Sequence, residues 1–234
     1  MEKTTSLVDQ AYEDIRNRIC DFELFPGQVL SDFTLSKEMG MSRTPIRQAL
    51  QRLERDGLIA DAGTGKSYEV CKITDDEIIE IFDARECIEV MALKLAMERG
   101  IEEPRLVELM RINRNMQEAN VQGKIKENFQ YDQEFHDYLV SMSGNKKLIR
   151  FHDSLLLQLR RMRVLSYLER TYQEKAVNDH AAILDGILAG DKEKAQQALA
   201  EHIQTSKRDY LKVLDNKIAL EGFGILRFFS RGED

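Results

Sequence analysis

The sequence predicts a mainly α-helical protein of two domains, the first of which carries a small β-hairpin. Three observations support this fold class. Apolar residues recur at helical spacing through most of the 234 residues, only 3 prolines interrupt the chain, and aromatic residues make up 7% of it with no tryptophan. Recurrence at i, i+3, i+4 and i+7 is typical of amphipathic helices, whereas strands alternate. A chain of this length can bury a core without disulfide bonds.

The composition also excludes several classes of protein. No apolar run approaches the roughly 20 residues of a membrane span, and the charged N-terminus does not resemble a secretory signal. Cys20, Cys71 and Cys87 share no metal-ligand spacing and are expected to be reduced thiols. We therefore expect a cytoplasmic protein with no membrane partner. The net charge of −7 argues against bulk coating of nucleic acid.

The first elements follow from local signals. Residues 7–21 show helical spacing, and Pro26-Gly27 then forces a turn. Ser31 is a suitable N-cap for a second helix that ends at Gly40. Ser42 is a suitable N-cap for a third helix, which runs to about Asp56.

The remaining signals divide the chain into two predicted domains. Residues 58–60 and 67–70 are predicted strands joined by a tight turn over 63–66. Three helices and a hairpin complete a domain over residues 1–72. Residues 73–234 are predicted to form an all-helical domain of six or seven helices. After its opening helix, helical segments begin near Pro104, Lys126, Lys146, Thr171 and Asp191.

The third helix has two contrasting faces. Its apolar face is predicted to be buried and contains Ile46, Ala49, Leu50 and Leu53. The opposite face presents Arg43, Thr44, Arg47 and Gln48, which are side chains that can hydrogen-bond base edges and phosphates in a major groove. A short helix, a turn and this helix fit a helix-turn-helix, with the hairpin as its wing. A solvated helix face would have a similar composition, and periodicity does not decide between the two.

The residue pattern of this region resembles a known family. Met41-Ser42-Arg43-Thr44-Pro45-Ile46-Arg47-Gln48-Ala49-Leu50, followed by Leu53-Glu54-Arg55-Asp56-Gly57-Leu58-Ile59, is similar to the GntR family of bacterial transcription regulators. The resemblance implies a winged helix-turn-helix in which Arg43, Thr44 and Arg47 contact operator DNA and Gly65 lies at the wing tip. We add Ser42, Gln48 and Lys66 to these as candidate DNA contacts.

The second domain contains a possible metal site. Asp132 and His136 are one helical turn apart and share a face with Phe129, Phe135 and Leu139. His180 and His202 each lie in an apolar stripe of a different helix. A single buried histidine is usually satisfied by a neighbouring polar group, but several converging imidazoles can share one divalent cation. One carboxylate and three imidazoles favour Zn²⁺, Ni²⁺ or another first-row metal.

This region, too, resembles a family. Tyr131-Asp132-Gln133-Glu134-Phe135-His136, Asp179-His180-Ala181-Ala182-Ile183-Leu184 and Glu201-His202-Ile203 are similar to the FCD effector domain of the FadR branch of GntR regulators. The resemblance implies that Asp132, His136, His180 and His202 hold a divalent metal beneath a ligand cavity. Arg85 is then a candidate contact for a small organic acid. It can equally form a structural ion pair with Glu89.

We therefore expect a homodimeric regulator, most simply a repressor, that binds pseudo-palindromic operator DNA and senses a small carboxylate. Two alternatives stay open at this point. A metal-dependent enzyme acting on a small organic acid needs the same four ligands, although no nucleophile or phosphate-loop motif accompanies them. An architectural DNA-binding protein with a structural metal needs no effector at all. The attached DNA-binding module favours a regulator over an enzyme.

Overall fold

The computed structural model describes residues 6–21, 23–63, 67–167 and 171–215, with side chains described outside 163–167 and 171–177. These residues divide into two compact units. The first comprises the chain up to Thr74 together with residues 157–164 of a later helix, and the second comprises 75–156 and the remaining described residues. No helix among the described residues is both long and apolar enough to cross a lipid bilayer.

The first unit contains the three predicted helices and the predicted hairpin. In chain order its elements are α1 (Leu7–Cys20), β1 (Val29–Ser31), α2 (Asp32–Met39), α3 (Arg43–Arg55), β2 (Ile59–Asp61) and β3 (Ser67–Val70). The three strands form an antiparallel sheet in the order β1-β3-β2, with Val29 opposite Glu69 and Ile59 opposite Val70. Strand β1 was not predicted, because a three-residue strand beside a turn leaves no alternation to detect.

The helix ends in this unit follow the predicted signals, with one exception. The Ser31 hydroxyl accepts a hydrogen bond from the Thr34 N–H, and Gly40 ends α2 in the left-handed conformation at φ 63°. Ser42 occupies the N-cap position of α3, but its side chain makes no capping hydrogen bond. The third helical position is Pro45, which has no N–H to donate to a capping oxygen.

The core of the first unit forms on the predicted face of α3. Ile46, Ala49, Leu50 and Leu53 are all completely buried. They pack into one cluster with α1 residues such as Ile15. This packing leaves the opposite face of α3 exposed.

The described residues of the second unit form helices joined by short connections. Its helices are α4 (Asp75–Arg99), α5 (Glu103–Val121), α6 (Ile125–Met142), α7 (Lys146–Tyr167, apart from residues 157–164), α8 (Thr171–Leu188) and α9 (Lys192–Asp215). Helix α9 packs against α8 and α4, and α6 packs against α5 and α4. These packings bring α4, α6, α8 and α9 around a common interior, where the polar side chains described next are buried.

Candidate functional site

Four side chains from three helices meet in the interior of the second unit. Asp132 and His136 come from α6, His180 from α8 and His202 from α9, and one ligand atom of each lies within 4.8 Å of all the others. The three histidines are at most 3% exposed, and Asp132 is partly exposed. The structure therefore brings together all four residues that the sequence suggested as metal ligands.

The three imidazoles point the same ring atom at one another. His180 Nε2 lies 3.1 Å from His136 Nε2 and 3.2 Å from His202 Nε2, and the latter two atoms are 3.2 Å apart. Asp132 Oδ1 lies 3.5 Å from His180 Nε2 and 4.0 Å from His136 Nε2. Nitrogen ligands about 2.0–2.1 Å from one zinc ion are themselves about 2.8–3.4 Å apart, over the range from octahedral to tetrahedral arrangement. The spacing of the three nitrogens fits a single first-row cation.

The partners of the outer ring nitrogens strengthen this fit. His136 Nδ1 lies 2.6 Å from Glu89 Oε2, and His202 Nδ1 lies 3.4 Å from Asp179 Oδ2. An ionised carboxylate only accepts hydrogen bonds, so these contacts favour the proton on Nδ1 of each ring. The Nε2 atoms of His136 and His202 then present lone pairs to each other across 3.2 Å. A cation bound between these two nitrogen atoms would remove that repulsion, because it would accept the lone pair of each.

Glu89 of α4 is the centre of the buried polar network beside this cluster. Its carboxylate is fully buried and accepts hydrogen bonds from Arg85 Nε at 2.6 Å, His136 Nδ1 at 2.6 Å and His152 Nε2 at 3.1 Å. Burial raises the pKa of the Glu89 carboxyl, but the opposing effects of Arg85 and His136 dominate and hold it well below its ordinary value. Glu89 is therefore an anion beside the histidine cluster.

Burial favours the neutral form of His136 and His180. Burial lowers the pKa of His136, although Glu89 opposes that shift. Burial also lowers the pKa of His180 well below its usual range, and the neighbouring His202 and His136 rings add to the effect. The His180 ring stacks on Phe135, with centroids 4.3 Å apart. Neutral imidazole is the form that binds metals.

His152 and Arg85 are buried beside the cluster. His152 lies outside the four-residue set, is 1% exposed and is hydrogen-bonded to Glu89, so it has a structural position. Arg85 is 7% exposed and forms the ion pair with Glu89, the structural role that the sequence allowed for it.

The exposed face of α3 carries the candidate DNA contacts. Ser42, Arg43, Thr44, Arg47 and Gln48 are all exposed. Gly65 and Lys66, the candidate contacts in the wing, lie outside the described residues. Asp32, which was not identified from the sequence, follows the N-cap of α2 and accepts hydrogen bonds from both Arg43 and Arg47. An acid at the start of a helix is common, so no sequence signal distinguished this one.

Comparison with known proteins finds two family matches. The family described as bacterial regulatory proteins, gntR family, matches residues 7–65, and the FCD domain matches residues 80–205. The FCD match alone spans more than half of the 234 residues. It includes α6, α8 and the first part of α9, and with them all four residues of the cluster.

Individual relatives agree with these matches over most of their length. The chain is 26% identical to the uncharacterized HTH-type transcriptional regulator YdhC of Bacillus subtilis (strain 168), over 86% of this chain and 90% of the relative. It is 25% identical to the HTH-type transcriptional repressor GlaR of Escherichia coli (strain K12), over 83% and 91%. The solved structure of E. coli McbR/YncC has the same fold, with a TM-score of 0.73 at 23% identity over 88% of this chain and 98% of that chain.

Proposed function

This chain belongs to the GntR family of bacterial regulatory proteins and carries an FCD domain, and from that membership we propose that it is a repressor whose operator affinity changes when a small carboxylate binds at a metal centre. It is a DNA-binding transcription regulator rather than an enzyme, as its relatives are. Assignment to the FadR branch is compatible with this pair of domains. The convergence of one carboxylate and three buried imidazoles is the observation that carries the proposal.

The residues present fit a nitrogen-rich metal site. His136, His180 and His202 would each supply Nε2, and Asp132 would supply a carboxylate oxygen. Three imidazoles favour Zn²⁺ or Ni²⁺ over Ca²⁺ or Mg²⁺, which take oxygen ligands. When bound, such a cation supplies a Lewis-acidic position that can accept an oxygen of a carboxylate ligand.

We propose that Arg85 is the positively charged side chain that binds the carboxylate of the effector. Its Nε–H is engaged by Glu89 at 2.6 Å, and a guanidinium has four further N–H donors. A bidentate contact to a carboxylate would use two of these donors. Binding there would place the effector's charge within reach of the Arg85–Glu89–His136 network. The same ion pair is also the observation that favours a second role, in which Arg85 and the metal only stabilise the helical unit.

The exposed face of α3 is the surface that we propose contacts operator DNA. We assign to a major groove the exposed residues Arg43, Thr44, Arg47 and Gln48, with Ser42 at the start of the helix, and we assign Gly65 and Lys66 to the wing. A homodimer would present two such helices to two half-sites of a pseudo-palindromic operator. An effector that binds one arrangement of the dimer more tightly than another would shift operator binding. The size of the shift is set by the difference between the effector's affinities for the two arrangements.

The experiment has two arms, on the full chain loaded with Zn²⁺. Binding sites are first selected from random duplexes, and Arg47→Ala is compared with Arg55→Ala, an arginine at the far end of the same helix. We expect the first variant to lose about 1–3 kcal/mol of operator binding and the second to lose little. Equal affinities for all three proteins would contradict the assignment of α3 to the groove.

The second arm measures operator affinity with a panel of small carboxylic acids, with and without metal. We expect at least one acid to shift the affinity of the metal-loaded protein only. The same acid should leave Arg85→Gln unaffected. A protein whose thermal stability depends on metal, but whose operator affinity no acid changes, would show that the metal is purely structural.

A further inference from the structure

Asp32 joins the start of α2 to the two arginines that face outward from α3. Its Oδ1 accepts hydrogen bonds from Arg43 Nε at 3.1 Å and Arg43 Nη2 at 2.6 Å, and its Oδ2 accepts from Arg47 Nε. Asp32 is 3% exposed, whereas the side chains of Arg43 and Arg47 are 49% and 53% exposed. A buried carboxylate therefore anchors one end of each exposed guanidinium.

The local sequence explains why a carboxylate is tolerated there. Ser31 caps α2, so Asp32 is the first residue of the helix, where unpaired N–H groups favour negative charge. Burial raises the pKa of the Asp32 carboxyl, but the hydrogen bonds from Arg43 and Arg47 outweigh burial and lower it overall. One anion between two cations leaves the cluster with a net charge of +1. The surface stays attractive to DNA although it contains an acid.

The hydrogen bonds to Asp32 leave both arginines with free donors. Arg47 donates its Nε–H to Asp32, so the four N–H groups of its two Nη atoms are not used by this carboxylate. Arg43 donates its Nε–H and one Nη2–H, so three of its five N–H groups remain. A guanine base presents two acceptors, O6 and N7, and is read by two donors of one arginine. Each arginine therefore retains the pair of donors that such a contact needs.

We propose that Asp32 is a specificity-determining positioning residue, which holds Arg43 and Arg47 in the orientation that reads guanines in a major groove. This inference rests on the proposed function, because it assumes that α3 enters the major groove. Asp32 would hold the arginine side chains in place before DNA binds, which is preorganisation. A free arginine loses considerable rotamer entropy when it binds, whereas one that is already anchored loses less.

A purely electrostatic role for Asp32 predicts the opposite sign. An acid near DNA repels phosphates, so its removal should tighten binding to every duplex alike. Loss of a positioning residue should instead weaken binding to the operator, while binding to an unrelated duplex stays equal or becomes tighter. The ratio of the two affinities therefore separates positioning from repulsion.

The first experiment compares Asp32→Asn with wild type on the selected operator and on an unrelated duplex of equal length, at one salt concentration. Glu38→Gln is the matched control, since Glu38 is an exposed acid on the same helix. We expect the specificity ratio to fall on the order of tenfold in Asp32→Asn and to stay unchanged in Glu38→Gln. An unchanged ratio in Asp32→Asn, with both duplexes bound more tightly, would overturn the proposal.

The second experiment leaves Asp32 intact, so it does not depend on whether the Asn variant folds. Sites are selected with Arg43→Ala and with Arg47→Ala. We expect each variant to lose a preference for guanine at one position of each half-site. Retention of every base preference in both variants, with all sequences bound more weakly, would show that the two arginines contact only phosphates and would refute the positioning role of Asp32 in reading bases.

These outcomes are distinguishable from failure of the proposed function. If neither arginine variant changes operator affinity, α3 does not read DNA and the proposed function itself is wrong. If Arg47→Ala weakens operator binding but Asp32→Asn keeps the wild-type specificity ratio, the proposed function stands and the positioning role of Asp32 is refuted.

Discussion

Glu89 Oε2 lies 2.6 Å from Nδ1 of His136, whose other ring nitrogen belongs to the four-residue cluster. The contact joins residues 47 positions apart in sequence, one on α4 and one on α6. A carboxylate in this position fixes the tautomer and the orientation of the ring and makes the ligand nitrogen more basic. Glu89 is therefore expected to influence metal binding without touching the metal.

The first prediction concerns this carboxylate. Glu89→Gln keeps an acceptor for His136 but removes the charge that balances Arg85. We expect Zn²⁺ affinity to fall about 10–100-fold, measured by competition with a chromogenic chelator. Glu80→Gln is the control, since Glu80 is exposed on the same helix. Unchanged affinity in Glu89→Gln would show that the ring of His136 is held by its packing alone.

A second prediction distinguishes the proposed metal ligands from a histidine that lies beside them. His180→Ala removes one of the three Nε2 atoms, so we expect the purified variant to contain much less than one metal ion per chain by elemental analysis. His152→Gln, a buried histidine outside the cluster, should keep the wild-type metal content. Full occupancy in His180→Ala would remove this residue from the site.

A third prediction follows from the lowered pKa values of His136 and His180. Below about pH 6.5, these side chains take up protons more readily in the unfolded chain than in the folded one, because their pKa values are lower in the folded chain. The free energy of unfolding of metal-free protein should therefore fall as the pH is lowered from 7 to 5. The slope is at most about 1.4 kcal/mol per pH unit for each such proton. Urea titrations at several pH values measure this slope, and equal stability across the range would contradict the lowered pKa values.

A fourth prediction tests the packing that brings His180 and His202 together. A Cβ atom added at Gly186 of α8 would lie 2.7 Å from the backbone N and Cα of Ala195 on α9. Alanine is the better helix former by about 1 kcal/mol, yet we expect Gly186→Ala to lose about 1–3 kcal/mol of stability because the helices must separate.

The control for this packing is Ala182→Gly on the exposed side of α8, which reports helix propensity alone. Chemical unfolding of metal-loaded protein measures both variants. A more stable Gly186→Ala protein would mean that α8 and α9 are not in close contact at this point.

Local patterns in the sequence predicted much of the molecule. The spacing of Ile46, Ala49, Leu50 and Leu53 identified the buried face of α3, and Gly40 identified the end of α2. These features depend on residues within a few turns of one another, and periodicity and capping report such relations directly. The four residues of the cluster were found for a related reason. Histidine is rare in this chain, and His136, His180 and His202 each stood in an apolar stripe.

The sequence by itself thus determined the helices, their buried faces and the residues available for chemistry. Only the tertiary structure decided how those residues are paired. Glu89 could have remained a simple partner of Arg85, but packing of α4 against α6 places it beside His136 as well. Asp32 gains its role only because α2 packs against α3. A buried charge takes whatever partner the fold brings within hydrogen-bonding distance, and that distance depends on helix packing rather than on separation along the chain.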